Sequence, residues 1–193
     1  MGYTILTLEQ DNPCNTTIVD ELKDIVYVVD TDLTDPSKPT THIKGSDEKI
    51  IASWVWRDIR SDVLTYGNLP PVSASSWVSK SIVPFSDTAT FRDHTQGREF
   101  KWTNLGAGMW PQLFGPSSKT EPVARFEPSR RDPSVGVLPA RLFISDNVEY
   151  CQDEIVVSFL LLERRRRTHE ADGAARADSI ALSASYGGSA RVR

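Results

Sequence analysis

The sequence is poor in the residues that most often bind metals. It contains two cysteines, Cys14 and Cys151, and three histidines, His42, His94 and His169, among 193 residues. None of these side chains lies at the sequence spacing of a zinc or iron site, so we expect no metal. Two cysteines so far apart do not form the disulfide framework of a small secreted domain, although a single pair is left open.

Long apolar runs are absent as well. No stretch approaches the roughly 20 apolar residues that span a bilayer. The amino terminus MGYTILTLEQD lacks the basic start, the apolar segment and the small-residue cleavage site of a secretory signal. These absences predict a soluble intracellular protein, with the cytoplasm as its expected location and no membrane-spanning segment.

The chain also lacks an excess of positive charge. Its formal net charge is -4 and its pI is near 5.4, whereas general nucleic-acid binders carry net positive charge. The phosphate-binding P-loop, the dinucleotide motif GxGxxG and the esterase motif GxSxG are missing too. We therefore expect neither nucleic acid nor a cofactor.

Up to about Glu163, the sequence is typical of short strands separated by turns. Segments of strand length are rich in β-branched and aromatic residues, and Asn, Asp, Gly and Pro lie between them. Many short strands at this spacing predict an antiparallel sandwich or barrel. The last four of the segments form two candidate hairpin pairs, and the predicted strands are Asp24–Thr31, Lys49–Ile59, Thr88–Arg92, Arg98–Thr103, Pro122–Glu127 and Ala140–Ser145.

One segment near the carboxyl end differs from these strands. In DEIVVSFLLLERRRR, apolar residues cover nearly the whole circumference of a helix. Asp153 and Glu154 stand where a helix dipole favours acids, and Arg164–Arg167 stand where it favours bases. Such a helix has to be buried on nearly all sides. We therefore predict a mainly β fold, a closed or nearly closed antiparallel β-barrel around a hydrophobic carboxy-terminal helix.

The composition changes after this helix. The segment 168–193 is rich in Ala, Ser, Gly and Arg and has few bulky side chains to bury. We predict a single domain over residues 1–167, with its helix at about 153–167, and a mobile low-complexity tail over residues 168–193.

From roughly Asn15 to Arg167, the chain resembles a fungal family, the DUF6593 proteins. The resemblance lies in the order of the elements and in loose motifs, which are NTTIVDELKDIVYVVDT, KIIASWVWRDIRSDVLTYG, FRDHTQGREFKWTN, PVARFEPS and ARLFISDNVEYCQDEIVVSFLLLERRRR. This family is assigned to the Tubby C-terminal-like and phospholipid-scramblase-like barrels, and it offers no established active site to carry over.

The resemblance implies a barrel around a carboxy-terminal helix and work at membranes. Some relatives in the wider group bind phosphoinositides, and others are linked to lipid movement. The chain has no cysteine-rich segment like that of the scramblases and no clear match to the basic pocket of Tubby proteins. A shared fold alone is a weak argument for a shared function.

Tryptophan supplies the candidate ligand-binding residues. Large aromatic side chains are usually fillers of a core or a barrel rim. Alternatively, Trp54, Trp56, Trp77 and Trp110 line a pocket for a hydrophobic ligand or touch a membrane interface. Asp58 follows Trp56 on the same strand face, where indole surfaces would raise the pKa of a carboxyl group, so Asp58 is the candidate catalytic acid or base.

The run Arg164–Arg167 has three interpretations. It is the solvated end of the buried helix, a contact for anionic lipid, or, with least support, a nucleic-acid contact. The leading functional hypothesis is a non-catalytic module that binds lipid or another hydrophobic small ligand at an anionic membrane surface. The alternatives are an enzyme that acts on a small apolar metabolite without metal or nucleotide, and a protein-interaction scaffold.

Removal of the tail from Gly173 onward is expected to leave folding intact, because few of its side chains are large enough to contribute buried apolar area. Thermal unfolding of the full-length and truncated chains measures this. A large fall in Tm would show that Ile180, Leu182 or Tyr186 docks on the domain.

Overall fold

The computed structural model describes residues 2–57, 60–81, 87–117 and 120–187, and it describes no side chain at residue 172 or at residues 174–187. The chain forms fifteen strands, two α-helices and a 3-10 helix within these ranges. The strands are β1 (Tyr3–Leu8), β2 (Thr16–Val19), β3 (Ile25–Asp32), β4 (Thr40–Gly45), β5 (Ile50–Val55), β6 (Val63–Tyr66), β7 (Val72–Ser73), β8 (Ser79–Lys80), β9 (Ala89–Arg92), β10 (Glu99–Thr103), β11 (Gln112–Phe114), β12 (Ala124–Glu127), β13 (Arg130–Asp132), β14 (Gly136–Leu138) and β15 (Ala140–Ser145). The helices are α1 (Ala74–Trp77), the 3-10 helix Asp146–Cys151 and α2 (Gln152–Gly187).

Thirteen of the described strands form one antiparallel sheet, in the order β7-β6-β5-β4-β3-β2-β1-β15-β12-β11-β10-β9-β8. The strand β1 pairs with β15 from the far end of the chain, from Tyr3 opposite Ser145 to Leu8 opposite Ala140. The two predicted strand pairs are confirmed as β9 with β10 and β12 with β15. The remaining strands, β13 and β14, form a separate hairpin.

The hydrogen-bonded sheet of the described strands has two edges and is not closed into a barrel, so the prediction of a closed or nearly closed barrel is not confirmed. Its edge strands β7 and β8 are two residues long each, and α1 lies between them in the chain. The Ser73 hydroxyl caps α1 by accepting the backbone N–H of Ser75 at 3.3 Å, which favours a helix over a continued strand. Ala74 and Val78 are buried there. A nearly closed barrel and the Tubby-like grouping stay predictions.

The first half of α2 is the centre of the core. Every side chain from Ile155 to Leu162 is at most 4% exposed, which confirms the prediction of a helix segment buried on nearly all sides. The Tyr27 hydroxyl on β3 donates to Asp153 at 2.6 Å. On the other side of β1 in the sheet order, the Trp102 indole N–H on β10 donates to the Ser158 hydroxyl at 2.9 Å. Because strands on both sides of β1 contact α2, the sheet curves around this helix.

The helix α2 continues to Gly187, well beyond its predicted end at about Arg167. Alanine has the highest helix propensity of the amino acids, and the segment from Ala171 to Ala184 is rich in it. Propensity therefore extends the helix past the part that is enclosed by the sheet. The mobility of the tail stays a prediction.

Replacement of Phe159 by Ala is expected to lower the free energy of unfolding by about 3–5 kcal/mol, the usual cost of deleting a buried aromatic ring. Phe159 lies 4.5 Å from the Phe126 ring, centroid to centroid, so the deletion leaves a cavity between helix and sheet. Urea denaturation measures the change. Leu22→Ala, at a side chain that is 81% exposed, is the control and should change stability by less than about 0.5 kcal/mol. A loss for Phe159→Ala as small as the control's would contradict the central position of α2.

Candidate functional site

The predicted tryptophan residues do not share one pocket. Trp54 on β5 is fully buried in the core. Trp56 follows β5 and lines a cleft, and Trp77 in α1 lines a different cavity. Trp110 lies in the loop after β10 and is 42% exposed. Asp58, the candidate catalytic residue, lies outside the described residues.

Three of the four arginines in the run form ion pairs with acids instead of being freely solvated. Arg164 forms an ion pair with Asp62, and Arg167 forms one with Asp11. Arg166 binds Glu163 at 2.7 Å, and Glu163 also accepts from Arg167 at 2.8 Å. The two contacts of Glu163, which is only 1% exposed, lie within α2, whereas the pairs with Asp62 and Asp11 fix the end of the enclosed part of α2 to the segments around it.

The pKa of Asp11 reflects its contact with Arg167. Burial alone would raise this pKa, but hydrogen bonds from Arg167 and Ser129 outweigh burial and hold it below its ordinary value. A carboxyl group whose folded-state pKa is lowered stabilises the fold above its unfolded pKa. This stabilisation is lost as the pH falls through the folded-state value.

A cleft of about 520 Å³ lies beside the beginning of the arginine run. It is lined by one indole, two prolines, one serine and three arginines, namely Trp56, Pro36, Pro39, Ser37, Arg57, Arg60 and Arg164. The loop between β3 and β4, the segment after β5 and the helix α2 each contribute to it. It brings together one predicted ligand-binding tryptophan and one predicted anion-binding arginine.

The buried residue Asp62 connects the segments that form this cleft. Its carboxylate accepts the backbone N–H of Arg57 at 3.0 Å and binds the Arg164 guanidinium. Its backbone carbonyl accepts the N–H of Ala74 at 2.8 Å, which ties α1 to the same point. Asp62 is only 7% exposed, so it acts from inside the protein.

The indole of Trp56 is fixed by two contacts. Its N–H donates to the Thr41 hydroxyl at 2.9 Å. The Arg164 guanidinium lies 4.1 Å from the ring centroid, in the geometry of a cation–π contact. Trp56 and Arg164 therefore hold one wall of the cleft in place before any ligand arrives.

Several arginines at or near the cleft have no ion-pair partner among the described residues. Arg57 and Arg60 are exposed, and neither forms an ion pair within the described ranges. Arg165, close to Asp62 and Arg164, also has no ion pair with a described residue, and burial lowers the pKa of its guanidinium. Of the three arginines that line the cleft, Arg164 is the one that forms an ion pair within the described part of the chain, and its partner is Asp62.

A second cluster lies at the amino-terminal end of α2. The His94 imidazole stacks on Tyr66 at 5.2 Å between centroids, and its Nδ1 lies 3.8 Å from the buried Glu154 carboxylate. His94 and Trp77 line a cavity of about 370 Å³. Burial raises the pKa of Tyr66 well above its ordinary value, and the charge of Glu154 adds to the rise.

The sequence did not indicate this cluster, because His94 was considered there only as a possible metal ligand. Position 94 is far from position 154 along the chain, and no local motif joins them. Only the pairing of β9 with β10, which places the loop 93–98 against α2, brings the two side chains together.

The remaining sequence-based expectations concern the cysteines, a metal site and a membrane-spanning helix. Cys14 and Cys151 are both free and buried, and burial raises the pKa of Cys151 to about 12. No group of three His, Cys, Asp or Glu side chains in the described part of the chain is arranged to hold a metal ion. None of the helices, as far as they are described, combines the length and apolar character needed to cross a bilayer.

Comparison with known proteins gives one match. The model of a family described as "Family of unknown function (DUF6593)" matches residues 11–168. No curated protein and no solved structure matches the chain.

Asp62→Asn is expected to lower the free energy of unfolding by about 3 kcal/mol, because it leaves the Arg164 charge without its partner in a site that is 20% exposed. Asn keeps an oxygen for the Arg57 N–H, so the change isolates the charge. Asp30→Asn breaks a more exposed pair with Lys44 and should cost less than about 1 kcal/mol. In urea denaturation, the double variant Asp62→Asn/Arg164→Gln should lose less than the sum of the two single variants. Strict additivity would show that the pair is not coupled.

Proposed function

The chain belongs to the DUF6593 family, a family of unknown function, and from the geometry of its cleft we propose a non-catalytic module that binds an anionic ligand with an apolar portion. The observation that carries the proposal is the convergence of Arg57, Arg60 and Arg164 on one cleft beside Trp56. Guanidinium groups match phosphate and carboxylate oxygens with paired hydrogen bonds. An anion bound in the cleft would supply negative charge to these arginines in addition to that of Asp62.

The net charge of the chain makes this cleft distinctive. The whole protein carries a formal charge of -4, whereas the described lining of the cleft contains three arginines and no acid, which is a local reversal of sign. Charges of one sign in a cleft concentrate a ligand of the opposite sign. The ligand is therefore selected by charge before it makes close contacts.

The apolar wall defines the rest of the ligand. Trp56, Pro36 and Pro39 offer an indole and two pyrrolidine rings on the same cleft as the arginines. Ligand sites usually combine apolar walls with a few convergent polar groups. This combination supports an amphiphile, that is, a phosphate or carboxylate joined to an aromatic or aliphatic group.

Two sources present this chemistry, a lipid headgroup at a membrane surface and a free phosphorylated metabolite. The resemblance to Tubby-like and scramblase-like barrels favours the lipid. Of Arg164–Arg167, only Arg164 lines the cleft as described, so the proposed anion contact moves from the whole run to Arg57, Arg60 and Arg164.

The enzyme is a second candidate function, and His94 with Glu154 is the observation that favours it. A general base needs a positioned imidazole, and the Glu154 carboxylate lies 3.8 Å from Nδ1 of His94. His94 shares its cavity with Trp77, which suits a small apolar substrate. If this alternative is correct, the wild type turns over a small ligand and the His94→Gln variant does not.

The double variant Arg57→Gln/Arg60→Gln is expected to bind phenyl phosphate at least about tenfold more weakly than the wild type, since one charge-assisted hydrogen bond contributes about 1.5–3 kcal/mol. Calorimetric titration measures the affinity, which should also fall with added salt. The matched control Lys49→Gln/Lys101→Gln removes the same charge at two exposed sites outside the cleft and should bind like the wild type.

Sedimentation with vesicles of phosphatidylcholine, with and without phosphatidylserine, separates the two ligand sources. If the wild type binds phenyl phosphate, but its binding to vesicles does not depend on Arg57 and Arg60, the cleft is assigned to a soluble metabolite. Equal binding by the cleft variant and the control variant, or no binding of either probe, would contradict the proposal.

A further inference from the structure

A serine shares the cleft with the arginines. Ser37, in the loop between β3 and β4, lines the same cleft as Arg57, Arg60 and Arg164. Residues 32–38 of this loop are all exposed, so the Ser37 hydroxyl can be reached from solvent. Within the described lining of the cleft, it is the one side chain that carries a hydroxyl group. A chemical group added to this oxygen therefore arises beside the guanidinium groups.

Backbone contacts hold Ser37 close to Arg57. The carbonyl of Pro39 accepts the backbone N–H of Trp56 at 2.8 Å, which joins the loop to the segment after β5. Arg57 follows Trp56 directly, and Ser37 precedes Pro39 by two residues. Two residues of chain span at most about 7 Å. Ser37 and Arg57 therefore lie on neighbouring segments, within reach of a long arginine side chain.

A local turn fixes the direction of Ser37. The Asp35 carboxylate accepts the backbone N–H of Ser37 at 2.9 Å and its hydroxyl at 2.6 Å. The Asp35 carbonyl accepts the N–H of Lys38 at 2.9 Å, which closes the turn. A phosphate on the Ser37 oxygen would remove the hydroxyl donor and place a second negative group beside this carboxylate. Since like charges repel, the phosphate turns away from Asp35 and towards the arginines.

We propose that Ser37 is a phosphorylation site and that its phosphate occupies the arginine cleft, which closes the cleft to the anionic ligand. The donor is a nucleoside triphosphate bound to a protein kinase. The Ser37 Oγ forms a bond to the γ-phosphorus while the bond from that phosphorus to the β–γ bridging oxygen breaks. The nucleoside diphosphate leaves, and the hydroxyl proton passes to a base of the kinase. This inference rests on the proposed function, because it concerns the same cleft.

The charge of a phosphoserine fits the arginines of the cleft. It carries about -1.5 to -2 at pH 7 and offers three acceptor oxygens, which form about one to three charge-assisted hydrogen bonds to a cluster of arginines. Arg57 and Arg60 have no ion-pair partner in the described ranges, so they are free to accept this charge. A group attached to the same chain also competes at an effective concentration of roughly millimolar. The phosphate on Ser37 thus excludes a free anion without any high intrinsic affinity.

A second turn of the same sequence provides a matched control. The chain contains Asp-Pro-Ser at residues 35–37 and again at residues 132–134. The Asp132 carboxylate accepts the backbone N–H of Ser134 at 2.8 Å and also its hydroxyl, as Asp35 does for Ser37. Ser134 is exposed as well, but it is not among the residues that line the cleft. The two serines therefore share their local structure, and Ser37 alone of the two lies in the cleft.

The test compares the full chain with chains that carry phosphoserine, incorporated during translation, at position 37 or at position 134. Calorimetric titration measures the affinity of each for phenyl phosphate. Phosphate on Ser37 should lower this affinity at least about tenfold, because the attached group occupies the cleft. The chain with phosphate on Ser134 should bind phenyl phosphate like the unmodified chain.

A second readout needs no ligand. Phosphorus NMR follows the titration of the phosphate on Ser37, whose second pKa is ordinarily about 6. Neighbouring guanidinium groups favour the dianion, so this pKa should lie below 6 and should return towards it in the Arg57→Gln/Arg60→Gln background. The two claims fail differently. An unmodified chain that does not bind phenyl phosphate contradicts the proposed function, whereas a phosphate pKa that is the same in both backgrounds contradicts this inference.

The modification itself is tested on the chain purified, with phosphatase inhibitors present, from the cells that produce it. Mass spectrometry should find phosphate on Ser37, and the Ser37→Ala variant expressed in the same cells should carry none on residues 32–39. Three results would overturn the proposal. They are the absence of phosphate from Ser37 in those cells, equal affinity for phenyl phosphate with and without the phosphate on Ser37, and a phosphate pKa that does not depend on Arg57 and Arg60.

Discussion

Burial of the helix segment Ile155–Leu162 is the constraint on which the rest of the structure depends. A helix that is apolar on all sides cannot rest on one face of a flat sheet, because its far side would stay in water. The sheet therefore curves, and its inner face supplies partners for the few polar groups inside. Ser158 bonds to the indole of Trp102, and Phe159 packs against Phe126.

The charged residues at the two ends of that segment explain where the candidate sites lie. At its start, Asp153 and Glu154 meet Tyr27 and the loop at His94. At its end, Arg164 requires the buried carboxylate of Asp62. This pair also places Arg164 and Trp56 on one wall of the cleft, so the cleft lies where the end of the enclosed helix is satisfied.

Much of the fold could be predicted from local pattern. The strands of the 88–103 hairpin, the pair 122–127 with 140–145 and the buried helix all have a signal within a few residues of sequence. The edges of the sheet could not be predicted, because β7, α1 and β8 are only a few residues each. The end of α2 was also missed, since alanine propensity extends a helix without any packing signal.

The candidate sites were less predictable than the fold for a physical reason. The pairs Arg164–Asp62 and His94–Glu154 join residues far apart in the chain, and charge compensation at that range leaves no periodicity in the sequence. The composition singled out Trp56 and Arg164 separately, but only the structure places them 4.1 Å apart, guanidinium carbon to ring centroid. The sequence thus identified residue types of the candidate sites, and contacts between residues far apart in the chain determine where those sites lie.

Native-state hydrogen exchange tests the central claim most directly. If the sheet is organised around α2, the amides of residues 155–162 exchange only through global unfolding. Their free energy of exchange should then equal that of the core amides of Leu6 and Leu142 on the central strands β1 and β15, and it should show the same dependence on urea. Exchange of the helix amides at a clearly lower free energy than those strand amides would contradict the account, because the helix could then leave while the sheet stayed folded.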